Sequence, residues 1–214
     1  GNVRFSIDAE GGVSERRYNA LSQVIETIEY STVISLDGLT EQVSLSEITA
    51  RVTPNSILDT KLFIAYDTSG REIYRVDTEG YVTETRHHGE LGQLTDGQQV
   101  LTESYEQRII DTLIYRKSIP LNTIMTQQGI HSALERLGYS VDHWHLVDLN
   151  DTIVSRQFFD ESGREIYAIG SDGKLSLTQY NSLGAVDRQA IFSEAVDLNH
   201  LTNREKVQEW MATA

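Results

Sequence analysis

The sequence predicts a mainly β protein with helices, of the α+β class. Its expected architecture is antiparallel β-hairpin repeats forming a continuous twisted sheet, with an amphipathic helix in each inter-hairpin connection. Three observations predict this. One hairpin pattern recurs three times without gaps. Each copy alternates apolar and polar residues around a glycine turn. Each copy is followed by an extended link and then a stretch of helical periodicity.

The copies begin at Gly1, Gly70 and Gly163 and align through Tyr18, His87 and Tyr180, at offsets of 69 and 93 residues. In the second copy Ile73 and Arg75 fall on one face and Tyr74 and Val76 on the other, a strand period of two. Asp77-Thr78-Glu79-Gly80 reads as a turn whose glycine is free to take positive φ. Tyr81 to Thr85 resumes a β-rich strand, completing a hairpin. A further turn precedes it at Tyr66-Asp67-Thr68-Ser69-Gly70, matched by Phe159-Asp160-Glu161-Ser162-Gly163. Gly11, Gly70, Gly80, Gly163 and Gly173, with Asp67, Asp77 and Asp160, are therefore expected to be structural turn residues.

The links also align: Glu29-Tyr30-Ser31, Ile114-Tyr115-Arg116 and Ile191-Phe192-Ser193. Ser44-Leu45-Ser46-Glu47 reads as a capping box, with Leu45, Ile48 and Val52 on one helical face. The middle helix is expected over Asn122 to Leu137, with Ile124, Ile130, Leu134 and Leu137 as its stripe. Gly129 interrupts it and Gly138 stops it. Thr202-Asn203-Arg204-Glu205 reads as a second capping box, ahead of Val207, Trp210 and Met211. Return strands are expected near Lys61 to Tyr66 and across Trp144 to Phe159, the latter turning at Asn150-Asp151. The whole is read as one array of about three units, 1–52, 53–138 and 139–214.

Composition narrows the function classes. The 214 residues carry 32 acidic and 18 basic side chains, a net charge of −14. That disfavours nucleic acid and anionic membranes as partners, since both need clustered Lys and Arg. There are no cysteines, which excludes disulfides, Cys-based zinc sites and thiol nucleophiles. No apolar run is long enough for a membrane span. The chain opens Gly1-Asn2-Val3-Arg4, with no signal-peptide pattern and no initiator Met, and is expected to be processed or cut from a longer polypeptide.

Few residues suggest chemistry. His143 and His145 flank Trp144 and share a strand face, where Asp142 or Asp148 offers an oxygen ligand for a metal. An ordinary strand with polar faces is the favoured reading, so no metal is expected there. His87-His88 stands where other copies place Tyr-Asn, and reads as a substituted turn. Asp8, Glu10, Asp77, Glu79 and Asp172 are acidic turn residues, but they lack calcium-loop spacing. No nucleophile elbow, phosphate loop, zinc-protease motif or dinucleotide fingerprint occurs. No catalytic residue and no cofactor are expected. Tyr18, Tyr30, Tyr66, Tyr74, Tyr81, Tyr115, Tyr167 and Tyr180 form either a sugar-stacking platform or ordinary cross-strand packing.

The turn motifs resemble the YD-repeat, or RHS-repeat, family. Its pattern runs Tyr-Asp-x-x-Gly-Arg, then Asp-x-x-Gly-x-x-Thr and a further Tyr-Asp. Tyr66 to Arg71 and Asp77 to Thr83 match it nearly in full. Phe159 to Arg164, Gly173 to Asn181 and Asp8 to Gly11 with Tyr18-Asn19 match with changes. About a third of the chain is covered. The helical connections depart from the compact family repeat and resemble its longer-spaced variety in large bacterial proteins.

The resemblance implies a spiralling β-sheet that closes into a hollow shell when many copies are strung together, and a role in toxin or effector delivery. It implies a secreted or cell-surface location, with neighbouring repeats of the same parent chain, a toxin partner subunit or a surface glycan as partners. It carries no catalytic residue, because the self-cleavage segment found in some members has no match here. The expected function is a non-enzymatic structural segment. The alternative is an adhesin-like module that binds glycan or protein.

Overall fold

The computed structural model describes residues 2–40, 43–88, 108–139 and 152–213. The protein is mainly β. Eleven strands form one antiparallel sheet in chain order: β1 (Phe5–Ile7), β2 (Val13–Tyr18), β3 (Val24–Glu29), β4 (Thr60–Tyr66), β5 (Glu72–Val76), β6 (Val82–His88), β7 (Arg108–Tyr115), β8 (Thr152–Phe159), β9 (Glu165–Ile169), β10 (Lys174–Tyr180) and β11 (Val186–Ala195). Three short helices follow β3, β7 and β11: α1 (Leu45–Arg51), α2 (Gln127–Arg136) and α3 (Arg204–Met211). The connections β1–β2, β2–β3, β4–β5, β5–β6, β8–β9, β9–β10 and β10–β11 are tight turns. No helix among the described residues is long and apolar enough to cross a membrane.

The chain divides into two compact units, residues 1–82 with 118–133, and residues 83–117 with 134–214. In the first, Val13, Ile28, Ala65, Tyr74 and Val76 are buried on one sheet face, together with Ile34 and Ile48 from the link and helix after β3. In the second, Leu113, Tyr115, Val154, Phe158, Tyr167, Ile169 and Leu175 are buried with Leu198, Leu201 and Val207. The period of two in these strands produces that one-sided burial: β8 reads buried at every other residue.

Helix boundaries follow their caps. The Ser44 hydroxyl accepts the Glu47 N–H at 3.3 Å, but the Glu47 carboxylate pairs with Arg51 rather than closing the box. Leu45 is exposed and Val52 serves as the C-cap, so Ile48 alone is buried. The middle helix starts at Gln127, not Asn122. Residues before it turn, Ile124 is exposed, and a Cβ on Gly129 would overlap the Ile124 carbonyl. Gly129 is thus a close-approach residue at the helix start. Gly138 stops the helix with φ +89°; its N–H reaches the Glu135 carbonyl, and that of Tyr139 the Leu134 carbonyl. In α3 the cap is Asn203, not Thr202: its carboxamide oxygen accepts the Lys206 N–H at 2.9 Å. Asn caps at least as well as Thr, and it stands one residue nearer the helix.

Candidate functional site

Seven hairpin turns share one hydrogen-bond pattern, with first residues Asp8, Asn19, Asp67, Asp77, Asp160, Gly170 and Asn181. The fourth residue donates its N–H back to the first carbonyl, and the first N–H reaches the fifth carbonyl. The fourth residue is left-handed each time: Gly11, Ser22, Gly70, Gly80, Gly163, Gly173 and Gly184. This is a three-residue hairpin loop ending in a left-handed bulge. In all but the Gly170 turn, a side-chain oxygen of the first residue completes it. Asp67 accepts the N–H groups of Ser69 and Arg71, Asp77 those of Glu79 and Tyr81, and Asp160 those of Ser162 and Arg164. Arg71 and Arg164 also bring their guanidinium groups onto Asp67 and Asp160. Burial raises both carboxyls, yet these donors outweigh it and hold them below the usual carboxylate range.

Three of these turns do a second job. The carbonyls of Gly11, Gly80 and Gly173 accept the N–H of Ile34, Ile119 and Val196, each at 2.8 Å. The links after β3, β7 and β11 are therefore stitched to hairpin glycines. A Cβ on Gly11 or Gly80 would overlap the carbonyl oxygen of the docking residue.

Polar clusters sit on the covered sheet face. Glu15, with a side chain 2% exposed, takes Arg4, Arg17 and the Tyr30 hydroxyl. Burial pushes its carboxyl up, but the hydrogen bonds from Tyr30, Arg17 and Arg4 win and leave it lowered. Burial and the Glu15 hydrogen bond push the Tyr30 phenol up to about 12. Glu84 repeats the arrangement with a bidentate Arg86 and the Tyr115 hydroxyl. Burial opposes the Arg86 charge, but Glu84 outweighs it and raises the guanidinium pKa. In the third copy Leu177, Gln179 and Phe192 occupy these places, and Phe192 packs edge-on against Trp210 at 5.5 Å. A buried Asp111–Arg156 pair, doubly bonded at 2.7 Å, sends the remaining Arg156 donor to the Leu198 and Leu201 carbonyls. The stem of α3 is thereby tied to β8. Asp59, also buried, holds Ser31 and Asn55 and is likewise lowered.

The opposite face of the second unit carries an open cleft of about 540 Å³, lined by Thr112, Ser155, Gln157, Ala168, Lys174 and Ser176 among others. Its lining contains one carboxylate, Asp172, which lies 3.6 Å from Lys174, and no histidine. Small hydroxyls and an amide offer hydrogen bonds there but no nucleophile paired with a base.

The residues singled out for metal chemistry do not assemble. His143, His145, Asp142 and Asp148 lie outside the described residues. His87 and His88 belong to β6, opposite Ile110 and Ile109, instead of forming a turn. An imidazole lacks the oxygen with which Asn19 and Asn181 gather turn N–H groups. Asp8 and Asp77 likewise hold turn N–H groups, and no cluster of three potential ligands occurs among the described residues. The tyrosines form no platform: Tyr74, Tyr115 and Tyr167 are buried, and Tyr18, Tyr66 and Tyr180 donate their hydroxyls to the Val3, Val24 and Glu165 carbonyls. Tyr81 alone of the eight is exposed. The Glu–Arg–Tyr clusters are absent from the motif reading. Their signal was the agreement of Glu15 with Glu84, Arg17 with Arg86 and Tyr30 with Tyr115 in the same alignment.

No protein-family model matches the sequence, and no curated protein does. Among solved structures, the chain is similar to a Tc holotoxin pore of Photorhabdus luminescens in a TccC3 mutant form, with a TM-score of 0.39 and 8% identity. The match covers 85% of this chain and 6% of that one.

Proposed function

We propose that this chain is a non-enzymatic wall segment of a large secreted or surface-exposed bacterial protein, built from YD-type repeats and belonging to a shell for toxin or effector delivery. One observation supports the reading above others. The same stitch, from a hairpin glycine carbonyl to a link N–H, recurs at Gly11–Ile34, Gly80–Ile119 and Gly173–Val196. A unit held together in this way leaves its covered face dependent on its own link and helix, and stability then accumulates along an array. The buried carboxylates serve the same end, since each is occupied by arginines, a tyrosine or turn N–H groups. Neighbouring repeats of one polypeptide are the partners this reading requires.

The test is the native parent protein. Its reading frame is followed beyond both ends, and the purified particle is imaged by electron microscopy. A hollow particle with this segment in its wall is expected. A parent without further copies, or with turnover that depends on residues of this segment, overturns the reading.

A further inference from the structure

The two edges of the sheet differ. β1 is three residues long, whereas β11 is ten and is the longest strand among the described residues. Short edge strands are protected against pairing; long ones invite it. β11 pairs with β10 on one side, and among the described residues nothing pairs with its other side. It contains no proline, and eight of its ten residues are exposed, Ile191 at 75%. Both earlier strands of this kind receive a partner after a helix: β3 is followed by α1 and joined by β4, and β7 is followed by α2 and joined by β8.

Charge on the covered face specifies the missing partner. Glu26 of β3 takes its charge partner inward, from Arg17 of β2 at 2.7 Å, and faces Phe63 of β4 outward, whereas Asp111 of β7 pairs outward with Arg156 of β8. By the same register Gln179 faces Arg188. Arg188 thus occupies the place that Glu26 and Asp111 hold in β3 and β7. It is exposed and forms no ion pair among the described residues.

We propose that the outer edge of β11 is a strand-acceptor site for an antiparallel strand placed as β4 and β8 are and, like β8, bringing the opposite charge: Arg188 faces the neutral Gln179 inward, and the incoming strand carries a carboxylate opposite it. This rests on the wall reading, in which the adjoining unit supplies that strand. Main-chain hydrogen bonds provide the affinity, and the facing charge selects the strand.

The probes are two synthetic peptides spanning residues 152–159, one native and one with Arg156→Glu. Binding to the 214-residue chain is followed by titration and by hydrogen exchange of the β11 amides. The Glu peptide is expected to protect β11 and to bind roughly threefold tighter than the native peptide. Arg188→Glu in the protein is expected to reverse that order, and Arg188→Gln to abolish it. Failure of both peptides to protect β11, an order insensitive to Arg188, or self-association of the chain through β11 overturns the proposal. The wall reading is decided separately, by the image of the parent particle.

Discussion

The N–H of Ile119 donates to the Gly80 carbonyl at 2.8 Å, and the glycine accepts it at φ +85° with no room for a Cβ. Gly80 therefore meets two demands, whereas Gly163, also at positive φ, has open space where a Cβ would be. Gly163→Ala is expected to cost about 1–2 kcal/mol, the strain of a left-handed alanine. Gly80→Ala carries the same strain and adds about 2 kcal/mol as the link is pushed off its hydrogen bond. Urea midpoints of the two variants check this; equal losses would contradict the stitch.

Helix starts give a second comparison. Ser44→Ala and Asn203→Ala each remove the acceptor of a helix N–H and are expected to cost about 1 kcal/mol. Thr202→Ala, one residue away from the α3 cap, is expected to be near neutral. Thermal melts of the three variants decide where α3 begins.

Acid is expected to destabilise the fold. Glu15, Asp59, Asp67 and Asp160 are all held below their ordinary values of 4.5 and 3.8 by hydrogen bonds and arginines that outweigh burial. A depressed folded pKa means that the unfolded chain binds more protons in that range. The stabilisation is complete above the unfolded values and is lost as pH falls through about 4 towards the folded ones. Denaturant midpoints at pH 7, 4 and 3 are expected to fall in that order, most steeply below pH 4. The Glu15→Gln variant is expected to show a shallower fall.

Much of this fold was legible where the physics is local. The hairpin glycines at Gly11, Gly70, Gly80, Gly163 and Gly173 sit in turns whose hydrogen bonds close within five residues; Asp-x-x-Gly encodes the first four directly, and Gly170 takes the place of the Asp in the fifth. The alternation of Tyr74 and Val76 against Ile73 and Arg75 likewise marked the buried face. Helix starts were less legible because adjacent residues compete for the cap, as Thr202 and Asn203 do, or because a tertiary approach intrudes, as the Ile124 carbonyl does at Gly129. The Asp111–Arg156 pair was not legible. Nothing in either residue's neighbourhood announces a partner on the next strand 45 positions away. Of the two tyrosine readings, the hydroxyls that Tyr18, Tyr66 and Tyr180 turn to neighbouring backbone carbonyls accord with packing, and spacing alone does not reveal those bonds.

The third copy suggests how the Glu84 cluster is best dismantled. There Leu177, Gln179 and Phe192 stand in for Glu84, Arg86 and Tyr115. Glu84→Leu alone strands Arg86, whose side chain is 9% exposed, without its carboxylate. Removing one member of a buried pair costs about 3–5 kcal/mol, whereas apolar replacement of the whole set is often neutral. Glu84→Leu is therefore expected to lose about 3–5 kcal/mol, and the combined Glu84→Leu, Arg86→Gln, Tyr115→Phe variant to recover most of that loss. Tyr115→Phe by itself removes a donor to a charged group and is expected to cost about 1.5–3 kcal/mol. Urea unfolding of the two single variants and the triple checks the coupling. If the triple loses as much as the sum of its parts, the three side chains act independently and the cluster is not a unit.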